Sequence, residues 1–137
     1  MLSNEIKEPS GELTIRVIAM PSNTNAAGDV FGGWVMSQMD LAAGSAAGMR
    51  AGSKTVTVAI DGVSFLAPMA VGDELSVYTD ILKVGRTSMT IGVQAWRRVR
   101  QSHERQLVTH GKFVFVAVGE DNRPMEIPAA AGESFGG

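Results

Sequence analysis

The chain has 137 residues, which suits one domain and leaves little room for two. Hydrophobic residues make up 45% and charged residues 19%, and the formal net charge is -2, so a soluble globule is expected and a polyanion-binding surface for nucleic acid is not. Cysteine is absent, which excludes disulfides, a thiolate nucleophile and a zinc–thiolate site.

Residues 1–12 predict a flexible N-terminal tail. They carry acids and lack the apolar core of a secretory signal, and no apolar run approaches the roughly 18 residues of a membrane span. A cytoplasmic location without membrane attachment is the expectation. Thr14 to Ala19 predicts a short strand. The loop that follows, MPSNTNAAGD, is built from turn-forming residues including Pro21, Asn23, Asn25, Gly28 and Asp29.

From about Gly32 to Met49 the pattern becomes helical, with Val35, Met39, Ala42 and Ala46 on one apolar stripe. Its second half consists almost wholly of small residues. Gly44 and Gly48 each cost a helix about 1 kcal/mol relative to alanine, and close approach of a sheet is the expected compensation. Four strands are predicted next, over Thr55–Leu66, Glu74–Lys83, Ser88–Arg98 and Gln106–Val118. Turn residues separate them at Pro68, Gly72-Asp73, Gly85-Arg86 and residues 100–105. From Gly119 the chain is rich in Gly, Pro and Ala and is expected to fray. One domain over 13–128 results, with 129–137 as a flexible C-terminal tail. Short connections imply antiparallel neighbours, so the fold class is α+β with one long helix against a five-stranded antiparallel sheet. One helix covers only part of such a sheet, and a second copy is expected to cover the rest.

The blocks AMPSNTNAAGDVFGGWVMSQMDLAAG (Ala19 to Gly44), FLAPMAVGD (Phe65 to Asp73) and KVGRTSM (Lys83 to Met89) resemble the YciA-type acyl-CoA thioesterases of the hotdog fold. The resemblance spans roughly Leu13 to Pro128. It implies hydrolysis of acyl-CoA to free acid and CoA, with no metal or cofactor, by dimers assembled into a trimer of dimers.

Thioester hydrolysis needs a polarised carbonyl, an activated water or nucleophile, and a hold on a long ligand. Gly32 and Gly33 stand at the predicted helix start, where free N–H groups carry partial positive charge and form a candidate oxyanion hole. Their alternative use is tight packing. Asp40 lies seven residues past Gly33 and is expected against the core side. The resemblance makes it the general base or nucleophile, against a purely structural acid. Asn25 matches the family's active-site asparagine, and its alternative is a turn former. Asp29 competes with Asp40 as the acid, but its position before the helix suits capping. Gly85, Arg86, Thr87 and Ser88 form a turn able to bind phosphate, and the resemblance places CoA there. Arg97, Arg98 and Arg100 form a second basic cluster, more simply explained as a solvated strand end. His110 is expected to be structural and His103 solvated. Met36 or Met39 could line an acyl tunnel.

Two other functions fit the same layout. A non-catalytic acyl-CoA sensor would not need Asp40 together with Asn25. A hotdog dehydratase would usually want a histidine at the helix entry, where this chain has Phe31.

Overall fold

A computed structural model describes residues 6–130. Strand β1 (Glu12–Ile18) leads through a short 3-10 turn at Pro21–Asn23 to helix α1 (Gly32–Ala51). Strands β2 (Lys54–Asp61), β3 (Glu74–Val84), β4 (Ser88–Arg98) and β5 (Arg105–Val118) follow. All pairings are antiparallel, in the order β1-β3-β4-β5-β2. This is the one-helix, five-strand α+β arrangement expected from the sequence, with β1 and β2 as the two sheet edges.

Alternation along the strands builds the core. Leu75, Val77, Met89, Ile91, Val93, Phe113 and Phe115 are all buried against the helix. The helix buries Val35, Met39, Ala42, Ala43, Ala47 and Ala51. Ala46 is only half-buried, so the apolar stripe turns toward Ala43 and Ala47 instead of following the predicted line. Helix α1 ends at Gly52, whose positive φ of 67° and N–H bond to the Gly48 carbonyl close the last turn.

The helical glycines have a different role from the one expected. A Cβ on Gly44 would meet Phe115 at 3.6 Å, and one on Gly48 would lie 3.7 Å from the Ser53 carbonyl, both ordinary contacts. The sheet therefore does not require glycine at either place. These glycines border an uncovered helix face that also carries Leu41, Ser45 and Met49, with Leu41 and Met49 strongly exposed.

Strand β2 stops at Asp61, five residues before the predicted end at Leu66. Gly62 takes a left-handed φ of 73° and turns the chain out of the sheet. Residues 62–73 then run back beneath the helix start. Val30 N–H bonds to the Met69 carbonyl, Leu66 N–H to the Val108 carbonyl, and Gly72 N–H to the Ala19 carbonyl. Asp73 is buried and accepts from the Ala70 N–H and from Arg97, 3.0 Å away. The stretch after Gly119, expected to fray, is held in place up to Pro128. Met125 N–H bonds to Ala117, Ile127 N–H to Arg86, and the Ile127 side chain is fully buried. At the other end Ser10 bonds to Gln94 and Glu8 pairs with Arg105, so residues 8–11 lie against the strands. The remainder of both predicted tails, 1–5 and 131–137, lies outside the described residues. Among those described, no helix is long and apolar enough to cross a membrane.

Candidate active site

The loop before α1 folds back on itself as a small hairpin. Asn25 N–H donates to the Asp29 carbonyl, Thr24 bridges Val30, and Phe31 N–H bonds to the Asn23 carbonyl. Asn23 is thereby held at the helix entry, and Asn25 sits against Asp29, two pairs farther out toward the hairpin tip. The Asn25 side-chain oxygen accepts from the N–H groups of Ala27 (2.9 Å) and Asp29 (3.2 Å), so the turn-forming role is real. Its amide NH2 makes no hydrogen bond among the described residues and is left as a donor.

Phe31 is the N-cap residue and offers no side-chain cap. Trp34 and Val35 both donate to the Phe31 carbonyl, while the N–H groups of Gly32 and Gly33 have no partner among the described residues. Such groups carry the positive end of the helix dipole. A Cβ on Gly32 would press on the Phe65 ring at 3.1 Å, so packing alone accounts for this glycine. A Cβ on Gly33 would meet nothing within 4 Å, so packing within the chain does not account for the second. Asp29, expected to cap the helix or shape the loop, contributes to the hairpin through its backbone only, as no side-chain cap bond forms.

Asp40 is half-buried instead of pointing into the core as expected. It faces β2, where the Thr57 hydroxyl donates to its Oδ1 at 2.7 Å. The helix residues pointing toward the core at this level are Met39 and Ala43, which leaves Asp40 on the flank. It lines an open cleft of about 470 Å³ with Gly44, Ser45, Lys54, Thr57 and Phe115. Thr57 escaped the sequence reading because its partner is 17 residues away and alternation assigns it only a face of a strand.

The structure holds Asn25 in the hairpin that leads into the Gly32-Gly33 entry and leaves Asp40 two helical turns away, roughly 10 Å along the axis from Gly33 at about 1.5 Å per residue. The Gly85–Ser88 turn lies at the Asp40 end. Thr57 pairs with Phe115, and Phe115 with Met89, next to Ser88. Two strand spacings of ~4.8 Å put the turn about 10 Å across the sheet from Thr57. Gly85 N–H bonds to the Ser88 carbonyl, and Thr87 accepts from Ala117 N–H. The Arg86 side chain is 84% exposed and pairs with Glu126, itself exposed, at 3.4 Å.

Of the second basic cluster only Arg100 is the exposed strand end that was expected. Arg97 pairs with buried Asp73 and Arg98 with Glu74, so both cations are occupied in bracing the sheet. Met39 is fully buried core, and Met36 packs beside it. His103 is exposed, while His110 is half-buried in a separate hollow with Gln94 and Lys112. Neither histidine reaches the helix entry. Among the described residues no group of three His, Cys, Asp or Glu could hold a metal ion.

These features define a thioesterase-superfamily domain, and the model of that superfamily matches residues 27–102. An uncharacterised acyl-CoA thioester hydrolase of Zymomonas mobilis is 53% identical over 126 residues, covering 92% of this chain and 85% of its own. The acyl-CoA thioester hydrolase YciA of Salmonella typhimurium is 42% identical over 123 residues, covering 88% and 92%. The crystal structure of a hexameric thioesterase from Yersinia pestis superposes with a TM-score of 0.87 at 42% identity, covering 89% of this chain and 100% of its own. The chain belongs to the thioesterase superfamily and, within it, to the YciA-type acyl-CoA thioester hydrolases. Its layout is the hotdog fold that the resemblance implied.

Proposed function

We propose that this protein hydrolyses acyl-CoA thioesters to a free carboxylic acid and CoA, with Asp40 as the catalytic acid–base group or nucleophile. The observation that carries the reading is Asp40 itself: a carboxylate fixed by Thr57 and open to a cleft, in a chain of a thioester hydrolase family. In the base form of the mechanism, Asp40 takes a proton from water as the water oxygen attacks the thioester carbonyl. The carbonyl oxygen becomes an oxyanion held by the Gly32 and Gly33 N–H groups. The C–S bond then breaks as the oxyanion collapses to the free acid, and the departing sulfur of CoA takes the proton held by Asp40, which returns to its carboxylate form. The free NH2 of Asn25 suits a donor to the same oxygen, since its own oxygen is already engaged twice. No cofactor or metal takes part; CoA is a portion of the substrate. The Gly85-Arg86-Thr87-Ser88 turn would hold CoA phosphate through an exposed guanidinium and backbone N–H groups.

The site is completed by a second copy. An aspartate side chain cannot close the roughly 10 Å between Asp40 and the donors of its own helix start. Val56, Val58 and Ile60 are exposed along the unpaired β2 edge, and Leu41 and Met49 on the adjoining helix face. A two-fold dimer that pairs the β2 edges and sets the helices antiparallel covers both surfaces. It also brings each helix start toward the partner's Asp40. A trimer of such dimers would give a hexamer, the state of the Yersinia pestis relative. The test is release of free thiol from purified protein incubated with acyl-CoA. Binding without thiol release would favour a sensor.

A further inference from the structure

We propose that Asp73 is a positioning residue for the hydrolysis: through the turn at residues 70–73 it sets where the Asn25 amide stands. The proposal rests on the thioesterase reading above. Asp73 does not line the Asp40 cleft. It is buried, and its carboxylate draws three donors. The Ala70 N–H and an Arg97 guanidinium N–H each lie at 3.0 Å, and the Arg100 N–H lies farther off at 3.4 Å.

The loop that carries Asn25 has no core of its own. Ala19 and Val30 are buried, and no residue between them is. Among the described residues its backbone bonds run within the loop, to the adjoining Phe31, or to one other segment, residues 69–73. At the start of the loop, Ala19 N–H donates to the Asp73 carbonyl at 3.0 Å, and Gly72 N–H donates to the Ala19 carbonyl at 2.9 Å. At its end, Val30 N–H donates to the Met69 carbonyl at 3.0 Å, and Asp29 bridges Ala70. One short segment therefore grips both ends of the loop, and Asn25 stands where that segment puts it.

Asp73 fixes the shape of the segment. Its N–H donates to the Ala70 carbonyl at 3.1 Å, and its carboxylate accepts from the Ala70 N–H, so one residue holds both polar backbone groups of Ala70. Gly72 supplies the left-handed φ of 91° that the turn uses. The carboxylate oxygen that takes Ala70 also takes Arg97 on β4, and the same guanidinium donates to Gln106 on β5 at 2.8 Å. The turn is thus tied to two strands of the sheet. The tie runs from Gln106 through Arg97, Asp73, Ala70 and Asp29 to Asn25, whose N–H donates to the Asp29 carbonyl at 2.8 Å.

This placement bears on rate. The Asn25 side-chain oxygen is engaged by the Ala27 and Asp29 N–H groups, so the direction of its NH2 follows the hairpin. A donor to the thioester oxygen acts only within hydrogen-bond reach of the oxyanion, and a displacement of about 1 Å can cost about 10²-fold. Loosening the turn therefore lowers kcat of the folded enzyme and leaves KM, set largely by the CoA arm, nearly unchanged. A role in the fold alone would instead reduce the folded fraction and leave kcat per folded molecule as it was.

The test is kcat and KM with acetyl-, butyryl- or octanoyl-CoA, whichever the parent hydrolyses fastest. The proteins are the parent, Asp73→Ala, Asp73→Asn, Asn25→Ala and the Asn25→Ala, Asp73→Ala double variant, each assayed well below its unfolding midpoint with subunit number checked. Asp73→Ala should lower kcat by about tenfold or more and leave KM within a few-fold. Asp73→Asn keeps an oxygen for the Ala70 N–H and should regain most of kcat. On the Asn25→Ala background, the loss from Asp73→Ala in the residual rate should mostly vanish, because the group it places is gone. Should the alanine variant not fold, Asp73→Ser, with a shorter acceptor, should show the same split by a smaller factor and the same dependence on Asn25. Folded Asp73 variants at the parent kcat overturn the proposal while leaving the thioesterase reading intact. A loss of equal factor with and without Asn25 also overturns it, since Asp73 would then not act through that amide. A parent that hydrolyses none of the three overturns both.

Discussion

The Thr57 hydroxyl holds the Asp40 carboxylate at 2.7 Å, joining the edge strand β2 to the second turn past the helix start. The bond sits where the β2–β5 register shifts, between Thr57 and Ala59. It fixes one carboxylate oxygen and leaves the other without a hydrogen bond among the described residues. Replacing Thr57 by valine keeps the shape and removes the donor. A fall in kcat of about tenfold is expected, the size of one hydrogen bond to a charged group, with KM little altered. Thr57→Ser should restore most of the rate. A valine variant at the parent rate would show that this hydroxyl does not position Asp40.

Arg86→Ala should raise KM for acyl-CoA by about tenfold and lower kcat less. A phosphate contact far from the reacting carbon binds ground and transition states alike. The exposed partner Glu126 makes the substitution harmless to the fold. An unchanged KM would place the CoA phosphates elsewhere, and Arg97 and Arg98 are poor substitutes because their carboxylate partners already engage them.

Asp73→Ala should destabilise the protein by about 3 kcal/mol, measured by denaturant unfolding. It would strip the Ala70 N–H of its acceptor and leave the mostly buried Arg97 guanidinium with Gln106 but without its carboxylate. Both groups lie under the loop that sets the helix start, so thermal loss of activity should occur at a lower temperature as well. Stability equal to the parent would mean that water replaces the carboxylate without cost.

The strands from β3 onward were legible because polar and apolar residues alternate over long runs, and their predicted ends lie within one residue of the observed ones. The helix was legible as an element but not in its facing. With Ala42, Ala43, Ala46 and Ala47 all small and apolar, no contrast marks which of them meets the sheet. The end of β2 was missed because Val63, Phe65 and Leu66 continue its apolar pattern past Gly62, where a single left-handed residue turns the chain. Ile127 carries no periodic signal, so its burial, with its N–H bonded to the Arg86 carbonyl, depended on tertiary packing alone. At the site, Asn25, Gly32, Gly33 and Asp40 were named through the family resemblance. Thr57 meets Asp40 through a contact between distant segments, which spacing does not reveal.

A shared site predicts complementation. Inactive Asp40→Asn mixed with inactive Asn25→Ala gives heterodimers in which one site carries both lesions and the other none. After verified subunit exchange, each heterodimer should regain up to half of the parent activity. No recovery would put every catalytic group of a site within one chain.

The most direct measurement is the rate of thiol release from acyl-CoA by the parent, Asp40→Asn and Asp29→Asn, each confirmed folded and of equal subunit number. Asp40→Asn keeps the acceptor for Thr57 but removes the base or nucleophile. The account predicts a loss of at least about 10²-fold for Asp40→Asn and a much smaller one for Asp29→Asn, whose side chain makes no cap at the helix entry. Asp40→Asn within a few-fold of the parent, or Asp29→Asn as the more damaged of the two, would contradict it.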